Sequence, residues 1–164
     1  MSLFNITKSM ISSIPLDENI DMLELPKKTA FRIDPNVIDS IRTDDQKNIE
    51  LRKRISMLFH DGCTKGSYEK IELKAQIKRN TFQKWLSGNR KISRGMLAKF
   101  VVGLELDVEA ANELFVLHSH GLDPQNNRFD CIIAATLNDG DDIEIFEEEV
   151  RKYIGEAYIR KYFD

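Results

Sequence analysis

Residues 77–106 read IKRNTFQKWLSGNRKISRGMLAKFVVGLEL, and this stretch decides the fold. It predicts a helix over about 79–86, in which Phe82 and Trp85 lie on the inward-facing side. The letters SGN at 87–89 predict where that helix ends, because Gly and Asn accept the left-handed backbone common at a helix C-terminus. The stretch is therefore typical of two short helices joined by a polar loop.

Helical periodicity continues on both sides of this stretch. Upstream, apolar residues follow one helix face from position 44, and a second helix is predicted over 67–75, followed by a tight turn at Gln76 and Ile77. The upstream face consists of Ile49, Ile55, Leu58 and Phe59. Downstream helices are predicted over 93–104, 108–118, 128–137 and 143–163, with Ser93 and Asp107 as N-caps and with Asp142 or its neighbour as the cap of the last helix. We find no pair of strands, so the sequence predicts an all-α fold.

Three regions follow from these patterns. Residues 1–43 hold three of the four prolines and predict a partly irregular N-terminal arm with a short helix near Asn36 to Ile41. Residues 44–106 predict a helix-turn-helix core. Residues 107–164 predict an acidic helical extension, whose apolar stripe either packs on the core or forms a dimer interface.

Charge is distributed unevenly along the chain, although the net charge is only −3. Residues 65–100 hold ten Lys and Arg against two Asp and Glu, whereas residues 101–164 hold five against fifteen. A local excess of cations is what binding to phosphate groups requires. The other interpretation is a solvated surface whose charge is balanced in space by the acidic extension.

The candidate functional residues lie on and after the helix at 79–86. If Ile77, Phe82 and Trp85 pack inward, the polar residues between them point outward. Arg can bind guanine through two hydrogen bonds, and Asn and Gln can bind adenine in the same way. The outward residues are Lys78, Arg79, Asn80, Gln83 and Lys84, and the loop adds Asn89, Arg90 and Lys91.

Over residues 47–106 the chain resembles the lambda-repressor-like helix-turn-helix proteins of the Cro/C1, or XRE, type. The resemblance implies a helix-turn-helix bundle, here extended by two or three further helices, with a recognition helix at about 79–86. It implies base contacts for Arg79, Asn80 and Gln83, and backbone contacts for Lys78 and Lys84. For the loop residues Asn89, Arg90 and Lys91 it implies phosphate contacts. Double-stranded DNA would be the partner, bound by a homodimer.

Two positions depart from that family's pattern. Glu72 stands where the family has a small residue, and Gln76 stands where it has the turn glycine. A carboxylate beneath the recognition helix would need a partner or a tilt of its helix, because burying it unpaired is costly. A second, weaker resemblance covers residues 68–146 and is to a helical module at the C-terminal end of some bacterial macro-domain proteins.

The sequence therefore predicts a sequence-specific DNA-binding transcriptional regulator of bacterial or phage type. The alternative is a degenerate helix-turn-helix that serves as a protein-protein interaction module in a phage, defence or signalling context. We expect no enzymatic activity, since the chain lacks a phosphate-binding glycine loop and a nucleophile elbow. We expect no cofactor and no metal, because His118 and His120 are two residues apart with no cysteine nearby.

The expected location is the cytoplasm, with no membrane contact. The N-terminal stretch lacks the basic and apolar regions of a signal peptide, and no run is long enough to span a bilayer. Cys63 and Cys131 lie far apart in sequence and match no metal-binding spacing, so we expect them to be inert thiols.

Overall fold

The computed structural model describes residues 8–14, 35–61 and 67–163. All regular structure in these ranges is helical, and no strand occurs among them, which confirms the expected all-α class. A short 3-10 helix, Lys8–Ser13, is followed by α1 (Pro35–Asp61), α2 (Ser67–Lys74), α3 (Arg79–Leu86), α4 (Arg94–Gly103), α5 (Val108–His118), α6 (Arg128–Asp139), α7 (Ile143–Tyr153) and α8 (Glu156–Tyr162).

Helix α1 is one continuous helix of 27 residues. The prediction of a short helix at Asn36 to Ile41, separate from a helix beginning at residue 44, was wrong. Residues 36–61 contain neither Gly nor Pro, so nothing interrupts the helix, and Pro35 suits its first position. The boundary proposed between residues 43 and 44 consequently falls inside α1.

One face of α1 packs against α3 and α5. Leu51, Ile55 and Phe59 are buried, at successive spacings of four residues along this face. Ile49 was expected to share the face but is 50% exposed. The prediction for Ile49 was wrong because the buried stripe passes through Leu51, two residues further on.

Helix α4 lies at the centre of the molecule. It packs against α2, α5, α6, α7 and α8, and all its residues are buried. Ser93 caps its N-terminus as predicted, since its Oγ accepts a hydrogen bond of 3.1 Å from the amide of Met96. The sequence predicted burial of only one face of α4, and the surrounding helices bury the remaining faces as well.

Two helices of the acidic extension, α5 and α7, begin at caps that agree with the sequence prediction, which named Asp107 for the first and Asp142 or its neighbour for the second. Asp107 accepts a hydrogen bond of 2.8 Å from the amide of Ala110 at the start of α5. Asp142 accepts one of 3.0 Å from the amide of Ile145 at the start of α7. Both caps satisfy a backbone amide that has no partner within its own helix.

The single long helix expected over 143–163 is instead two helices. Gly155 has φ of +130°, a value open to glycine, and it ends α7 and turns the chain into α8. The turn brings Tyr158 and Phe163 back onto the core, where the Phe163 ring stacks on Phe146 at 5.6 Å between centroids. The apolar stripe of the extension therefore closes the core of its own chain.

The described part of the N-terminal arm packs against α6. Ile11 and Ile14 are buried, and the carbonyl of Ile14 accepts a hydrogen bond of 2.8 Å from Nε of Arg128. Nζ of Lys8 forms an ion pair of 2.6 Å with Asp141. Residues 15–34 of the arm lie outside the described ranges, as does Cys63. Among the described helices, none has both the length and the apolar character needed to cross a membrane.

Candidate nucleic-acid interface

Helices α2 and α3 are joined by a tight turn that depends on two residues. Gln76 adopts φ of +53°, so a non-glycine residue occupies the left-handed turn position. Ile77 is fully buried, and its amide donates to the carbonyl of Ile71 at 3.3 Å. These contacts fix α3 against α2, which is the local geometry expected from the sequence.

Helix α3 has a buried side and an exposed side. Phe82 and Trp85 are buried, and the Phe82 ring stacks on Phe100 of α4 at 5.8 Å between centroids. At about 100° per residue, the four exposed residues of α3 span an arc of about 140° on the opposite side. Asn80 and Gln83 lie near the middle of that arc. The four residues are Arg79, Asn80, Gln83 and Lys84.

All eight residues that the sequence singled out are exposed. Lys78 precedes α3, four lie on the exposed face just described, and Asn89, Arg90 and Lys91 lie in the loop between α3 and α4. We call the exposed α3 face together with Lys78 and loop residues 87–91 the basic surface. The residues predicted on and before α3 and those predicted in the following loop are therefore neighbours on the surface of the molecule.

The N-terminus of α3 carries a carboxylate. Oε1 of Glu72, on α2, accepts a hydrogen bond of 3.0 Å from the backbone amide of Arg79, and the Glu72 side chain is exposed. The cost expected for a buried carboxylate therefore does not arise. A negative charge at this position stabilises the helix but lowers its attraction for another anion.

Arg79 is held in place by an aromatic ring that the sequence analysis did not consider. Its guanidinium carbon lies 4.4 Å from the centroid of the Tyr68 ring, close enough for a cation-π interaction. Tyr68 also contacts Phe59 of α1, with 4.8 Å between ring centroids. The side chain of Arg79 therefore lies on the Tyr68 ring of α2, and that ring in turn packs against α1.

The loop after α3 is fixed by hydrogen bonds to the end of that helix. The amides of Asn89 and Arg90 both donate to the carbonyl of Lys84, at 2.9 and 3.1 Å. Gly88 has φ of +79°, and a Cβ at this position would overlap the guanidinium of Arg52 on α1. The loop and the middle of α1 are consequently in direct contact, which no local pattern in the sequence indicates.

Ion pairs leave much of the basic surface unneutralised. Among the described residues, no ion pair within 4.0 Å involves Lys78, Arg79 or Lys84. Arg94 of the basic segment pairs with Asp130 of the acidic extension, whereas Lys74 pairs with Glu105 within the core region. These three cations are not neutralised by direct contact with the acidic extension.

Arg94 is one of two cations that α4 buries. Its guanidinium makes two hydrogen bonds of 2.9 Å to the carboxylate of Asp130 on α6, and both residues are almost completely buried. It also donates to the carbonyl of His120 at 3.0 Å and to Oγ of Ser119. This network joins α4, α6 and the segment after α5, and the sequence analysis missed it.

Lys99 is the second buried cation, with 4% of its surface exposed. Its Nζ donates to the carbonyl of Gln76 at 3.0 Å and to the carbonyl of Phe163 at 2.9 Å. The first carbonyl belongs to the turn between α2 and α3, and the second follows α8. Lys99 therefore connects the turn that orients α3 to the last described residue.

Cys131 and His118 are also chemically reactive residue types, but their surroundings indicate structural roles. Burial and the neighbouring Asp130 raise the pKa of the Cys131 thiol, which disfavours the reactive thiolate. Burial lowers the pKa of His118, whose Nε2 lies 2.7 Å from the carbonyl of Ile92. Within the part of the chain that the structure describes, no three His, Cys, Asp or Glu residues are arranged to hold a metal ion.

Comparison with protein-family models, with curated proteins and with solved structures found no match to this chain.

Proposed function

We propose that this chain is a sequence-specific DNA-binding protein, acting as a transcription regulator of bacterial or phage type. In this proposal α1 to α5 form a helix-turn-helix bundle of the lambda-repressor-like kind, extended by α6, α7 and α8. Helix α3 enters the major groove, which is wide enough to admit an α-helix. The observation that carries the proposal is the exposed face of α3, with Asn80 and Gln83 at its middle and cations beside them.

The positions of these side chains suit two kinds of contact, one with base edges and the other with phosphates. Asn and Gln can each form paired hydrogen bonds with adenine, so Asn80 and Gln83 are assigned to base reading. Arg79, oriented by the Tyr68 ring, is assigned to guanine. Lys78 and Lys84 flank the face and are assigned to phosphates, together with the loop residues Asn89, Arg90 and Lys91.

The experiment that tests this is a selection from a random duplex pool at low salt, followed by affinity measurements on the selected duplex. Gln83→Ala is expected to weaken binding by about 1–3 kcal/mol, or about 5- to 150-fold. The matched control is Gln125→Ala, because Gln125 is also exposed but lies in the loop between α5 and α6. The proposal fails if no duplex is enriched, or if the two variants weaken binding equally.

A protein-interaction role is the second candidate, and Leu73 favours it. This residue on α2 is 77% exposed and is next in sequence to Glu72, which places a negative charge at the N-terminus of α3. The negative charge suits a protein partner better than the phosphates of DNA, and the exposed apolar side chain can be buried against such a partner. If this role holds, the pool yields no duplex, and Leu73→Gln weakens binding of a defined co-purifying partner more than Gln83→Ala does.

A further inference from the structure

A cleft of about 200 Å³ lies where the ends of α2 and α4 meet the start of α7. Helix α2 contributes Leu73 and Lys74, α4 contributes its last residue, Gly103, and residues 140–144 line the cleft from the start of α7. A Cβ at Gly103 would overlap Ala75, so the ends of α2 and α4 are in direct contact. The cleft is therefore formed by three helices that are separate in sequence.

Carboxylates outnumber cations in the lining of this cleft. Two of its four carboxylates have a partner, because Glu105 pairs with Lys74 at 3.2 Å and Asp141 pairs with Lys8 at 2.6 Å. The other two are Asp142 and Glu144. Among the described residues, neither of these two takes part in an ion pair within 4.0 Å. The cleft therefore has an excess of negative charge.

The ends of α2 and α4 add to this negative charge. A helix C-terminus carries a partial negative charge on its free carbonyl groups and favours a cation nearby. Helix α2 ends at Lys74 and α4 at Gly103, and both residues line the cleft. The N-terminus of α7 has the opposite polarity, but the carboxylate of Asp142 already caps it. The cleft therefore favours a cation and disfavours an anion such as a DNA phosphate.

An exposed leucine lies beside these charges. Leu73 is 77% exposed, more than any other large hydrophobic side chain of the described residues. A single exposed leucine is ordinary on a protein surface. Here it lines an anionic cleft, and the cleft is open at Gly140, where an added Cβ would meet no atom within 4 Å. The site thus offers an apolar contact next to carboxylates.

We infer that this cleft binds a basic segment of a partner protein, in which an Arg or Lys side chain enters the cleft and a neighbouring apolar side chain covers Leu73. A guanidinium or ammonium group can donate to the carboxylates of Asp142 and Glu144. Its methylene stem can pack on apolar surface while the charge bonds to them. Charge complementarity selects this occupant over nucleic acid and over an acidic segment.

This inference goes beyond DNA binding and does not depend on it. It shares Leu73 with the protein-interaction candidate, and it adds the chemistry of the partner, a cation next to an apolar side chain. A regulator that binds DNA through α3 would then contact a basic protein segment through the ends of α2 and α4.

The test uses the whole chain and two capped hexapeptides. One has the sequence Ala-Arg-Leu-Ala-Arg-Leu, and the other has Glu in place of each Arg. Backbone amide resonances of residues 103–105 and 140–144 are followed by NMR while each peptide is added at low salt. A saturable shift is expected with the arginine peptide and none with the glutamate peptide, because only the first complements the cleft. A saturable response to both peptides, or to neither, would overturn the inference.

A charge reversal in the cleft tests where the arginine peptide binds. Glu144→Lys is expected to weaken its binding by about fivefold or more, since one ion pair at contact distance in water contributes roughly that factor. The matched control is Glu148→Lys, which changes the net charge equally. Glu148 is exposed on the same helix but does not line the cleft, so this variant should weaken binding less.

Leu73→Gln tests the apolar contact and is expected to weaken binding of the arginine peptide severalfold. Its control is Val116→Gln, because Val116 is also an exposed apolar residue but lies on α5, outside the cleft. Leu73 and Glu144 are both exposed, so their variants should fold, and the amide spectrum checks this. If neither Glu144→Lys nor Leu73→Gln weakens binding more than its control does, the peptide binds elsewhere and the inference fails.

Peptide binding and duplex selection are separate measurements, so they distinguish this inference from the proposed function. If peptide binding depends on Leu73 and Glu144 and no duplex is selected, the cleft is supported and DNA binding is not. If a duplex is selected and the arginine peptide does not bind, DNA binding stands and the cleft does not. Self-association in analytical ultracentrifugation that Glu144→Lys and Leu73→Gln both abolish would assign the cleft to a second copy of this chain, against the inference.

Discussion

Two groups of cations in residues 65–100 have opposite environments. On α3 and its loop, Arg79 and Lys84 are exposed, and neither forms an ion pair among the described residues. On α4, Arg94 and Lys99 are each only 4% exposed, and both bond to the acidic extension or to backbone carbonyls. Within one basic segment, therefore, some charges are available to a partner while others hold the fold together.

This contrast limits what a local charge count can say about binding. The excess of cations in residues 65–100 includes two that no ligand reaches. The acidic extension likewise contains Asp130, which is fully buried against Arg94. Breaking the buried interactions should therefore cost stability, whereas changing the basic surface should alter binding with little effect on stability.

The largest effect is expected from Asp130→Asn. The variant keeps the shape of the side chain but leaves the buried guanidinium of Arg94 without its counter-charge, which should lower the free energy of unfolding by about 3–5 kcal/mol. Urea unfolding measures this. The matched control, Glu113→Gln, removes the exposed ion pair of 3.9 Å with Arg54 and should cost at most about 1 kcal/mol.

A double substitution tests whether the charge itself is responsible. Arg94→Met combined with Asp130→Leu removes both buried charges, and it should be less destabilising than Asp130→Leu alone. Equal losses of stability from Asp130→Asn and Glu113→Gln would contradict the distinction between the two groups of charges.

A smaller loss is expected from Lys99→Met. The substitution keeps much of the apolar stem but removes the hydrogen bonds from Nζ to the carbonyls of Gln76 and Phe163. Hydrogen bonds from charged groups contribute about 1.5–3 kcal/mol, so urea unfolding should show a loss in that range. Lys84→Met is the control, since this exposed lysine on α3 should change stability by no more than about 0.5 kcal/mol. If both variants unfold at the same urea concentration, Lys99 has no such structural role.

Glu72→Gln is expected to cause the smallest loss of stability. The same variant is expected to increase the affinity for DNA. Removing the carboxylate from the N-terminus of α3 should lower the free energy of unfolding by about 0.3–1 kcal/mol. It should also raise affinity for the selected duplex severalfold at low salt, because a negative charge beside the phosphates is lost. Fluorescence anisotropy measures the affinity. The control is Glu69→Gln, because Glu69 is an exposed carboxylate on α2, the helix that also carries Glu72. Equal gains in affinity from the two variants would assign the effect to overall charge.

Features set by local sequence were predictable. The caps at Ser93 and Asp107 were correct, and Asp142 was one of the residues predicted to cap α7, because a cap depends on residues within one helical turn. The extent of α3 was also correct. The exposure of Gln83 followed from the inward spacing of Phe82 and Trp85. What the exposed residues bind remains a proposal, because exposure alone does not select a ligand.

Features that depend on contacts between distant segments were not predictable. A lone sequence does not distinguish Arg94, which is buried, from Arg90, which is exposed, because each lies in a polar part of the same segment. The contact of Arg52 with the loop and that of Tyr68 with Arg79 likewise join separate helices. From the sequence alone, Gly155 could end a helix or lie within one. The structure breaks the helix there, because the break allows Tyr158 and Phe163 to be buried.

The bond from Lys99 to Phe163 has a consequence for how the chain folds as it is synthesised. The two residues are 64 positions apart, so the turn at Gln76 and helix α4 leave the ribosome well before Phe163 does. Until then the ammonium group of Lys99 cannot bond to the carbonyl of Phe163, and the ring of Phe163 is missing from the core. Contacts of such long range slow folding, because the chain must close a large loop before it gains them. We expect the burial of Lys99 to be completed only after residue 163 has been synthesised.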